Sequence, residues 1–369
     1  MFTNTVAKES PITKLAEKAF PIVHRSHARF ARPMAMPAGL VVAALALLTY
    51  LLPTAEAQIT SVATNVPGIA IPNAPPRDFD PVTAPDSLLA LYGFPPRPDA
   101  AMQPEAHDSW ARAMRSSSAR ITPHLEQTNV YHGPKRTGNS SGTSLNWSGS
   151  VDFGGANSYN HTNSFYYLIA DYVVPTAIQA YGACTGGWDY SSSWIGIDGD
   201  GSNDVLQAGT ESDAYCSGGS NSSYYSAWIE WFPFSETRIT NFPVAPGDDL
   251  FIEVWNTSST QGYAYLFNYR TNQSVSLSLT PPAGTSLIGN SAEWVVERPS
   301  VGGGLATLTN YVWDFFANCY AYTWSGVSYT PGTASATQLT MLDNSSKPIS
   351  YPTLLGTNAI WFRDEGSAY

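Results

Sequence analysis

Short hydrophobic runs separated by polar clusters dominate the chain from Trp147 onward. The runs are rich in Val, Ile, Thr, Tyr and Trp, the clusters contain Gly, Pro, Asn and Ser, and no helical period appears. The runs predicted as strands are SFYYLIADYVVP, SSWIGIDG, YYSAWIEWFPF, DDLFIEVWNT, YAYLFNYR, QSVSLSLTPP, AEWVVERP, TNYVWDFFANCYAYTW and NAIWFRD. Many short strands without helices predict an all-β fold, and their alternation favours a sandwich of two antiparallel sheets.

Acidic and aromatic residues share faces in several of these strands. Alternation places the two glutamates of AEWVVERP on one face, and in AWIEWFPF it places Trp228 beside Glu230. Trp194 and Asp198, four residues apart in WIGID, also share a face. Exposure on the outside of a sheet explains any one of these acids alone. Their recurrence beside tryptophans favours a groove for an extended ligand, since such grooves combine aromatic walls with a few polar groups.

The N-terminal region has the features of a secretory signal. An uncharged run from Gly39 to Leu52 is followed by the small-x-small pattern Ala-Glu-Ala, and arginines precede it. The run is shorter than the roughly 20 apolar residues that cross a bilayer. We therefore predict that residues 1–57 are a signal region, that the protein is secreted, and that it keeps no stable membrane association after the signal is removed.

Residues 58–140 are rich in Pro, Ala and polar side chains and contain one possible helix, HDSWARAMRSSSARI. Their place between a signal and a denser domain predicts a pro-segment, although a flexible linker would have the same composition. Lys135 and Arg136, in a loop-like stretch, mark a plausible processing zone. We expect the segment to keep the precursor latent by covering a cleft in residues 141–369, the predicted catalytic domain.

The chain is acidic, with a formal net charge of −11, and most of the acidic excess lies in residues 141–369. Phosphates would be repelled by this charge, so nucleic acid is not expected as a partner. The charge suits a soluble secreted protein that works at low pH, and we expect a monomer.

Three cysteines are too few for a dense disulfide framework. Cys184 lies in the loop before SSWIGIDG and Cys216 lies after the strand that follows it, so two adjacent loops can bring them together. We predict that these two form a disulfide. Cys319, inside a strand-like run, is predicted to face the core as a small hydrophobic residue.

Most hydrolase chemistries lack the residues they need in residues 141–369, which contain a single histidine, His161. A Ser or Cys nucleophile generally needs a neighbouring base, and zinc sites usually take at least two His ligands. We expect His161 to be a surface loop residue. GNSSG matches a serine esterase pattern but lacks the preceding strand and following helix that this motif requires.

The stretch DGDGSND, Asp198 to Asp204, resembles the start of a calcium loop but lacks the glycine at its sixth position and the glutamate at its twelfth. A bound cation and a solvated turn both stay open for this stretch. We expect no metal or cofactor to be required for catalysis.

Five motifs, NWSGSV, WIGIDGD, VLQAG, AWIEW and AEWVVE, occur in an order that resembles the glutamic peptidases, the eqolisin family. The resemblance runs over roughly residues 145–300. It implies a sandwich of the concanavalin A-like lectin and glucanase type, polypeptide substrates, and a catalytic dyad of Gln207 and Glu297. The cleft-lining residues that it implies are Trp147, Trp194, Asp198, Trp228 and Glu230.

The implied chemistry explains why a glutamine stands where many hydrolases have a second acid. Glu297 can take a proton from water, while the neutral amide of Gln207 orients the water and donates to the oxyanion without repelling it. The alternative is a glucanase or carbohydrate-binding protein of the same fold. A retaining glucanase needs two carboxyls about 5 to 5.5 Å apart, which Glu230 and Glu297 could supply if their strands are neighbours.

Overall fold

The computed structural model describes residues 61–117, 119–180, 184 and 186–365. The predicted signal region lies outside the described residues. Among the helices in these ranges, none has the length and apolar character needed to cross a membrane.

Within the described ranges, the residues before Thr143 form short elements. They are β1 (Ser61–Ala63), β2 (Ile69–Pro72), α1 (Asp86–Leu91), α2 (Pro104–Ser116), β3 (Ala119–Arg120), β4 (Leu125–Gln127) and β5 (Val130–Tyr131). From Thr143 onward the described elements are all strands. They are β6 (Thr143–Ser144), β7 (Trp147–Phe153), β8 (Phe165–Val173), β9 (Trp188–Asp189), β10 (Ser192–Ile197), β11 (Val205–Ser217), β12 (Ser220–Phe232), β13 (Thr237–Ile239), β14 (Asp249–Ser258), β15 (Gln261–Asn268), β16 (Gln273–Leu279), β17 (Ser291–Glu297), β18 (Ser300–Val301), β19 (Gly304–Leu305), β20 (Trp313–Thr323), β21 (Ser328–Tyr329), β22 (Thr337–Leu342), β23 (Pro348–Leu354) and β24 (Ile360–Asp364).

These strands form two large sheets that share one strand. The front sheet runs in the order β4-β13-β12-β11-β10-β17-β7-β22. The back sheet runs β1-β2-β16-β15-β14-β8-β20-β24-β23-β22. All these pairs are antiparallel. Among the described strands, the only parallel pairings are those of the short β3 with β16 and of the short β6 with β22. The predicted all-β sandwich is confirmed.

The main core fills the space between the inner faces of the two sheets. Ile195, Leu206 and Ile229 of the front sheet belong to one buried cluster with Leu168 and Ile252 of the back sheet. Neighbouring positions on the same front strands point the other way, as period-two alternation requires. A separate apolar cluster on the outer face of the front sheet contains Trp147, Trp194, Trp228 and Val295.

The described residues between 61 and 140 pack on the sandwich as a layer. Strands β1 and β2 extend the back sheet, and β4 extends the front sheet. Helix α2 covers the outer face of the back sheet, where Trp110 joins a buried cluster with Tyr265 and Phe267. Polar contacts fix its position, since Ser109 donates a 2.7 Å hydrogen bond to Asp171.

The helix predicted over residues 107–121 exists but is shifted toward the N-terminus, and α1 was not predicted. Pro104 stands at the start of α2, where its missing N–H is not needed. Beyond Ser116 the chain turns into β3 and pairs with β16. That tertiary pairing, rather than a local stop signal, ends the helix early.

Both cysteine predictions are confirmed. Cys184 and Cys216 form a disulfide with a Cα–Cα distance of 5.4 Å, which ties the loop before β10 to the end of β11. Cys319 is free and buried in the main core.

Candidate active site

Strand alternation and register place the predicted catalytic residues on the outer face of the front sheet. Gln207 on β11 stands between Gly196 on β10 and Glu230 on β12. Glu297, the last residue of β17, pairs with Ser192 of β10, four positions along that strand from Gly196. Both side chains contact His132: the amide of Gln207 donates to its carbonyl oxygen, and the carboxyl of Glu297 lies 3.3 Å from its ring Nδ1.

Gly196 leaves room beside Gln207 and Trp194. A Cβ at this position would lie 3.0 Å from the Trp194 ring and 3.1 Å from the Cβ of Gln207. A side chain at this position would therefore press on the Trp194 ring and on the Cβ of Gln207.

Glu297 is buried and held by two side-chain donors. The indole N–H of Trp194 donates a 2.8 Å hydrogen bond to Oε2, and the Asn146 amide donates a 3.1 Å hydrogen bond to Oε1. Burial raises the pKa of Glu297, and contacts with His132, Asn146 and Trp194 only partly oppose that rise. A fixed carboxyl with a raised pKa is suited to exchanging a proton.

The amide of Gln207 contacts a peptide carbonyl. Its Nε2 donates to the backbone oxygen of His132 and lies 3.4 Å from Oε1 of Glu230. Its Oε1 is buried and has no hydrogen-bond partner among the described residues. The donor side of the amide is therefore engaged by a carbonyl, while its acceptor side is available.

His132 occupies the centre of the site, although the sequence indicated it only as a residue of the pro-segment. Its ring is fully buried and stacks on Trp228, with centroids 3.9 Å apart and an interplanar angle of 8°. Nε2 lies 2.9 Å from Glu211 and 3.6 Å from Glu236, and Nδ1 lies 3.3 Å from Glu297. Burial alone would lower the pKa of His132, but these three carboxyls raise it well above the usual imidazole value.

The chain on both sides of His132 crosses the front sheet in contact with its backbone and loops. We call residues 128–136 the covering segment. Within it, the carbonyl of Val130 accepts a 3.0 Å hydrogen bond from the Glu236 amide, and the His132 N–H donates to Glu230 at 3.1 Å. Strand β5 also pairs with β18, which forms a small three-stranded sheet with β19.

Asn146 holds the covering segment on the other side of His132. Its amide lies 3.4 Å from the carbonyl of Gly133 and 3.3 Å from that of Pro134, and its oxygen accepts a 2.7 Å hydrogen bond from the Arg136 amide. The predicted processing zone at Lys135 and Arg136 therefore lies inside the covering segment.

One cavity borders the covering segment, and a second lies beside the acidic residues near His132. One has a volume of about 330 Å³ and includes Tyr131, Gly133, Asn146, Phe232 and Glu297 in its walls. The other, of about 320 Å³, is lined by Trp188, Tyr190, Asp213, Tyr224 and Arg238. Open space therefore lies next to Glu297 on one side and next to Asp213 and Arg238 on the other.

The structure brings most of the predicted cleft residues together around His132. Trp194, Trp228 and Glu230 contact it or its immediate partners, and Trp147 packs edge-on against Trp194 with centroids 5.0 Å apart. Asp198 lies apart from this group.

Asp198 follows the end of β10 with a positive φ of 71°, so the extended run assumed from the sequence stops at Ile197. Its carboxyl oxygens accept hydrogen bonds of 2.7 to 2.9 Å from the backbone amides of Ile288, Gly289 and Asn290. This carboxyl holds a loop, and the same bonds explain its burial without a cation.

A different group of described residues has metal-ligand geometry. The candidate ligand atoms of His132, Glu211 and Glu236 lie within 4.8 Å of one another. Each group already has a partner, since the imidazole pairs with Glu211, and Arg238 donates a 2.7 Å hydrogen bond to Glu236. The cluster therefore already contains ion pairs between protein groups, while Oε2 of Glu211 has no hydrogen-bond partner among the described residues.

Two further expectations from the sequence can be compared with the structure. His161 is exposed and stacks on Trp324, as expected for a surface loop residue.

Strands β12 and β17 are separated by β11 and β10, so the neighbouring strands that a Glu230 and Glu297 glucanase pair would require are not present.

Comparison with known proteins supports the resemblance drawn from the motifs. Residues 146–360 match the model of the Peptidase A4 family. The chain is similar to Aspergillopepsin-2 of Aspergillus niger, with 28% identity over 193 residues, which cover 48% of this chain and 64% of that protein.

Two solved structures also match. A crystal structure of scytalido-glutamic peptidase with a transition state analog inhibitor has 24% identity and a TM-score of 0.49, covering 60% of this chain and 98% of that one. Aspergilloglutamic peptidase from Aspergillus niger has 26% identity and a TM-score of 0.42, covering 48% and 99%. The family model spans more than half of this chain, including most strands of the front sheet, and the chain therefore belongs to the Peptidase A4 family.

Proposed function

We propose that this protein is a secreted acid endopeptidase, made as a latent precursor, in which Gln207 and Glu297 hydrolyse peptide bonds. Family membership supports the reaction class. The observation that carries the assignment is that the amide of Gln207 contacts the peptide carbonyl of His132, a residue whose ring Nδ1 lies 3.3 Å from the buried carboxyl of Glu297.

In the proposed reaction, ionised Glu297 takes a proton from a water molecule, which attacks the carbonyl carbon of the substrate. The N–H of Gln207 donates to the oxygen as it gains negative charge, and its Oε1 accepts a hydrogen bond from the same water. Glu297 then returns the proton to the leaving nitrogen. Trp194 and Asn146 hold the carboxyl in place throughout.

The remaining cleft residues position the substrate in this proposal. Glu230 receives a backbone N–H of the bound segment, and Trp228 stacks on one of its side chains. Trp147 supports Trp194 from the side. Asp198 acts at a distance by holding the loop at residues 288–290.

Latency is proposed to result from the covering segment, which fills the centre of the groove. Residues 1–57 would direct export, residues 58–140 would serve as the pro-segment, and residues 141–369 would form the catalytic domain. Polypeptides are the proposed substrates, and the protein is proposed to act as a monomer.

The test is digestion of a denatured protein between pH 2 and 5, followed by mass spectrometry of the fragments. We expect Gln207→Ala to lower the rate about 10² to 10³-fold, as loss of an oxyanion donor typically does. Cleavage that persists at the wild-type rate in folded Gln207→Ala protein would reject the dyad.

Glu293 provides a matched comparison for Glu297. It lies on the same face of β17 and pairs with Gly196, so it shares a cross-strand row with Gln207, and burial raises its pKa well above the usual value. It does not share the Trp194 and Asn146 hydrogen bonds of Glu297. We therefore expect Glu293→Gln to retain substantially more activity than Glu297→Gln, and the reverse order would move the catalytic role to Glu293.

A further inference from the structure

The side chain of His132 fills a pocket built by the front sheet. Trp228 of β12 forms its flat wall, Glu211 of β11 lies at its end, and Glu236 just before β13 approaches the same ring nitrogen. The four side chains are at most 1% exposed. The three pocket residues all lie in the predicted catalytic domain, so the pocket remains after a pro-segment is removed.

The charges of this pocket match a flat cation. Among the ion pairs of the described residues, Glu211 takes part only in the one with His132, whereas Glu236 also pairs with Arg238. Asp213 stands beside Glu211, and its pKa is raised well above the usual value by burial and by that neighbour. The ion pair of Glu211 therefore depends on the occupant of the pocket.

Few side chains can both balance the charge of Glu211 and stack on the ring of Trp228. A leucine or phenylalanine would leave Glu211 buried without a counter-charge, which is costly. A lysine would supply charge but no planar ring to stack on Trp228. A protonated histidine supplies both a charge and a planar ring: Nε2 of His132 lies 2.9 Å from Oε1 of Glu211, and the ring face lies against the indole.

The backbone of the same residue lies at the proposed catalytic groups. The carbonyl oxygen of His132 accepts from Gln207, and the next carbonyl along the chain, that of Gly133, lies near Asn146, which also donates to Glu297. The peptide bond between His132 and Gly133 therefore crosses the site in the position of a bond to be cleaved.

We propose that the pocket of Trp228, Glu211 and Glu236 is a specificity subsite that selects a protonated histidine on the amino side of the cleaved bond. As a direct consequence, the bond between His132 and Gly133 is the first bond that the enzyme cleaves in its own precursor. The proposal rests on the proposed peptidase function and adds its substrate preference.

The self-cleavage step is an ordinary hydrolysis. The water oxygen bonds to the carbonyl carbon of His132, the C–N bond to Gly133 breaks, and the water proton passes through Glu297 to the nitrogen of Gly133. The products are a carboxyl terminus at His132 and an amino terminus at Gly133. No other reactant is needed.

The first test uses the processed enzyme and peptides with the sequence of residues 129–135, Asn-Val-Tyr-His-Gly-Pro-Lys, in which the histidine is retained or replaced by Phe, Gln or Lys. At pH 4 we expect kcat/KM to be roughly 10- to 100-fold higher for the histidine peptide than for the phenylalanine peptide, the range expected for a charge-assisted contact. Glu211→Gln should bring this ratio close to one. The exposed Glu365→Gln should leave the ratio unchanged.

The outcomes separate the two proposals. If the histidine and phenylalanine peptides are cleaved equally well, or the phenylalanine peptide is preferred, the subsite is wrong and the peptidase function stands. If no peptide is cleaved and a denatured protein is not digested either, the peptidase function itself fails. An unchanged histidine preference in Glu211→Gln would also overturn the subsite.

The second test uses the full precursor. After acidification, mass spectrometry should find the first new amino terminus at Gly133, and His132→Phe should slow its appearance by a similar roughly 10- to 100-fold. A first terminus elsewhere in the wild-type chain would overturn the self-cleavage site. If His132→Phe does not fold, the peptide series with the wild-type enzyme still decides the preference.

Discussion

Residues 61–140 cover both outer faces of the sandwich, but they do so with opposite chemistry. On the back sheet, α2 buries Trp110 and Met114 in an aromatic cluster. On the front sheet, the covering segment makes contacts centred on His132 that are mainly polar and charged. Apolar burial holds a layer in place with little dependence on its exact partners, whereas a polar cover can be exchanged for another peptide that makes the same hydrogen bonds.

The strongest test of this contrast exchanges one buried glutamate on each sheet. Glu297→Gln on the front sheet should lower peptidase activity by at least about 10² to 10⁴-fold, because a neutral amide cannot take a proton from water. Glu253→Gln on the back sheet should leave the rate unchanged, since that carboxyl only accepts a hydrogen bond from Tyr167. Rates at pH 4 and circular dichroism of both variants make the comparison. Equal loss in both variants would mean that the front sheet carries no special chemistry.

Truncation of Trp110, the buried aromatic residue of α2, should have the next largest effect, on stability. Trp110→Ala should lower the free energy of unfolding of the precursor by about 3 to 5 kcal/mol, the usual result of removing a buried tryptophan. Met102→Ala, close by but 81% exposed, should change it by less than about 0.5 kcal/mol. Urea denaturation of the two variants measures the difference, and a similar small effect for Trp110 would show that α2 is not anchored by its apolar face.

Asp198 provides a smaller test of whether a front-sheet acid contacts substrate or supports the fold. Asp198→Asn keeps the size of the side chain but weakens three hydrogen bonds from backbone amides. We expect a loss of about 1 to 3 kcal/mol in unfolding free energy, with KM for the histidine peptide unchanged. A raised KM without loss of stability would return Asp198 to the substrate cleft.

The smallest expected effect concerns pH and the covering segment. Because the pKa of His132 is raised in the closed site, its contribution to closure is fully present below the ordinary imidazole pKa of about 6.5 and is lost as pH rises through the raised value. The carboxyls of Glu211, Glu236 and Glu297 face the ring, and Arg238 pairs with the second of them. The protonation of His132 in mild acid therefore stabilises the contact of the covering segment with the front sheet and does not release it.

Hydrogen exchange in the full-length Gln207→Ala precursor measures this effect without self-cleavage. After correction for intrinsic rates, amides of the covering segment should be equally protected at pH 5 and 6.5 and less protected at pH 9. Those of α2 should be protected equally throughout. Loss of protection in residues 128–136 at pH 5 would instead support release by acid, and would assign activation to the carboxyls.

Alternation along the strands was sufficient to predict the sandwich and the faces of its residues, because burial on one side of a sheet requires a period of two. It placed Trp294 and Glu297 on opposite faces of β17, and in the structure Trp294 lies in the core while Glu297 lies on the outer face of the front sheet. It did not reveal that Asp198 leaves the strand, since a positive φ at a non-glycine residue has no signal in the hydrophobic pattern.

The place of His132 could not be predicted for a different reason. Its partners Glu211, Glu236 and Glu297 are distant in the sequence, and nothing adjacent to it in NVYHGP indicates a buried ion pair. Only the fold brings them together. A useful signal was nevertheless present, because a histidine in a pro-segment is a candidate partner for a groove that contains several acids.

The pairing of β5 with the hairpin of β18 and β19 has a consequence for which proteins can be digested. A peptide can take the place of β5 only if its own backbone N–H and C=O groups are not already paired in another sheet or helix. Tightly folded proteins would therefore resist cleavage. Chains that acid has already partly unfolded would be the better substrates of such an enzyme.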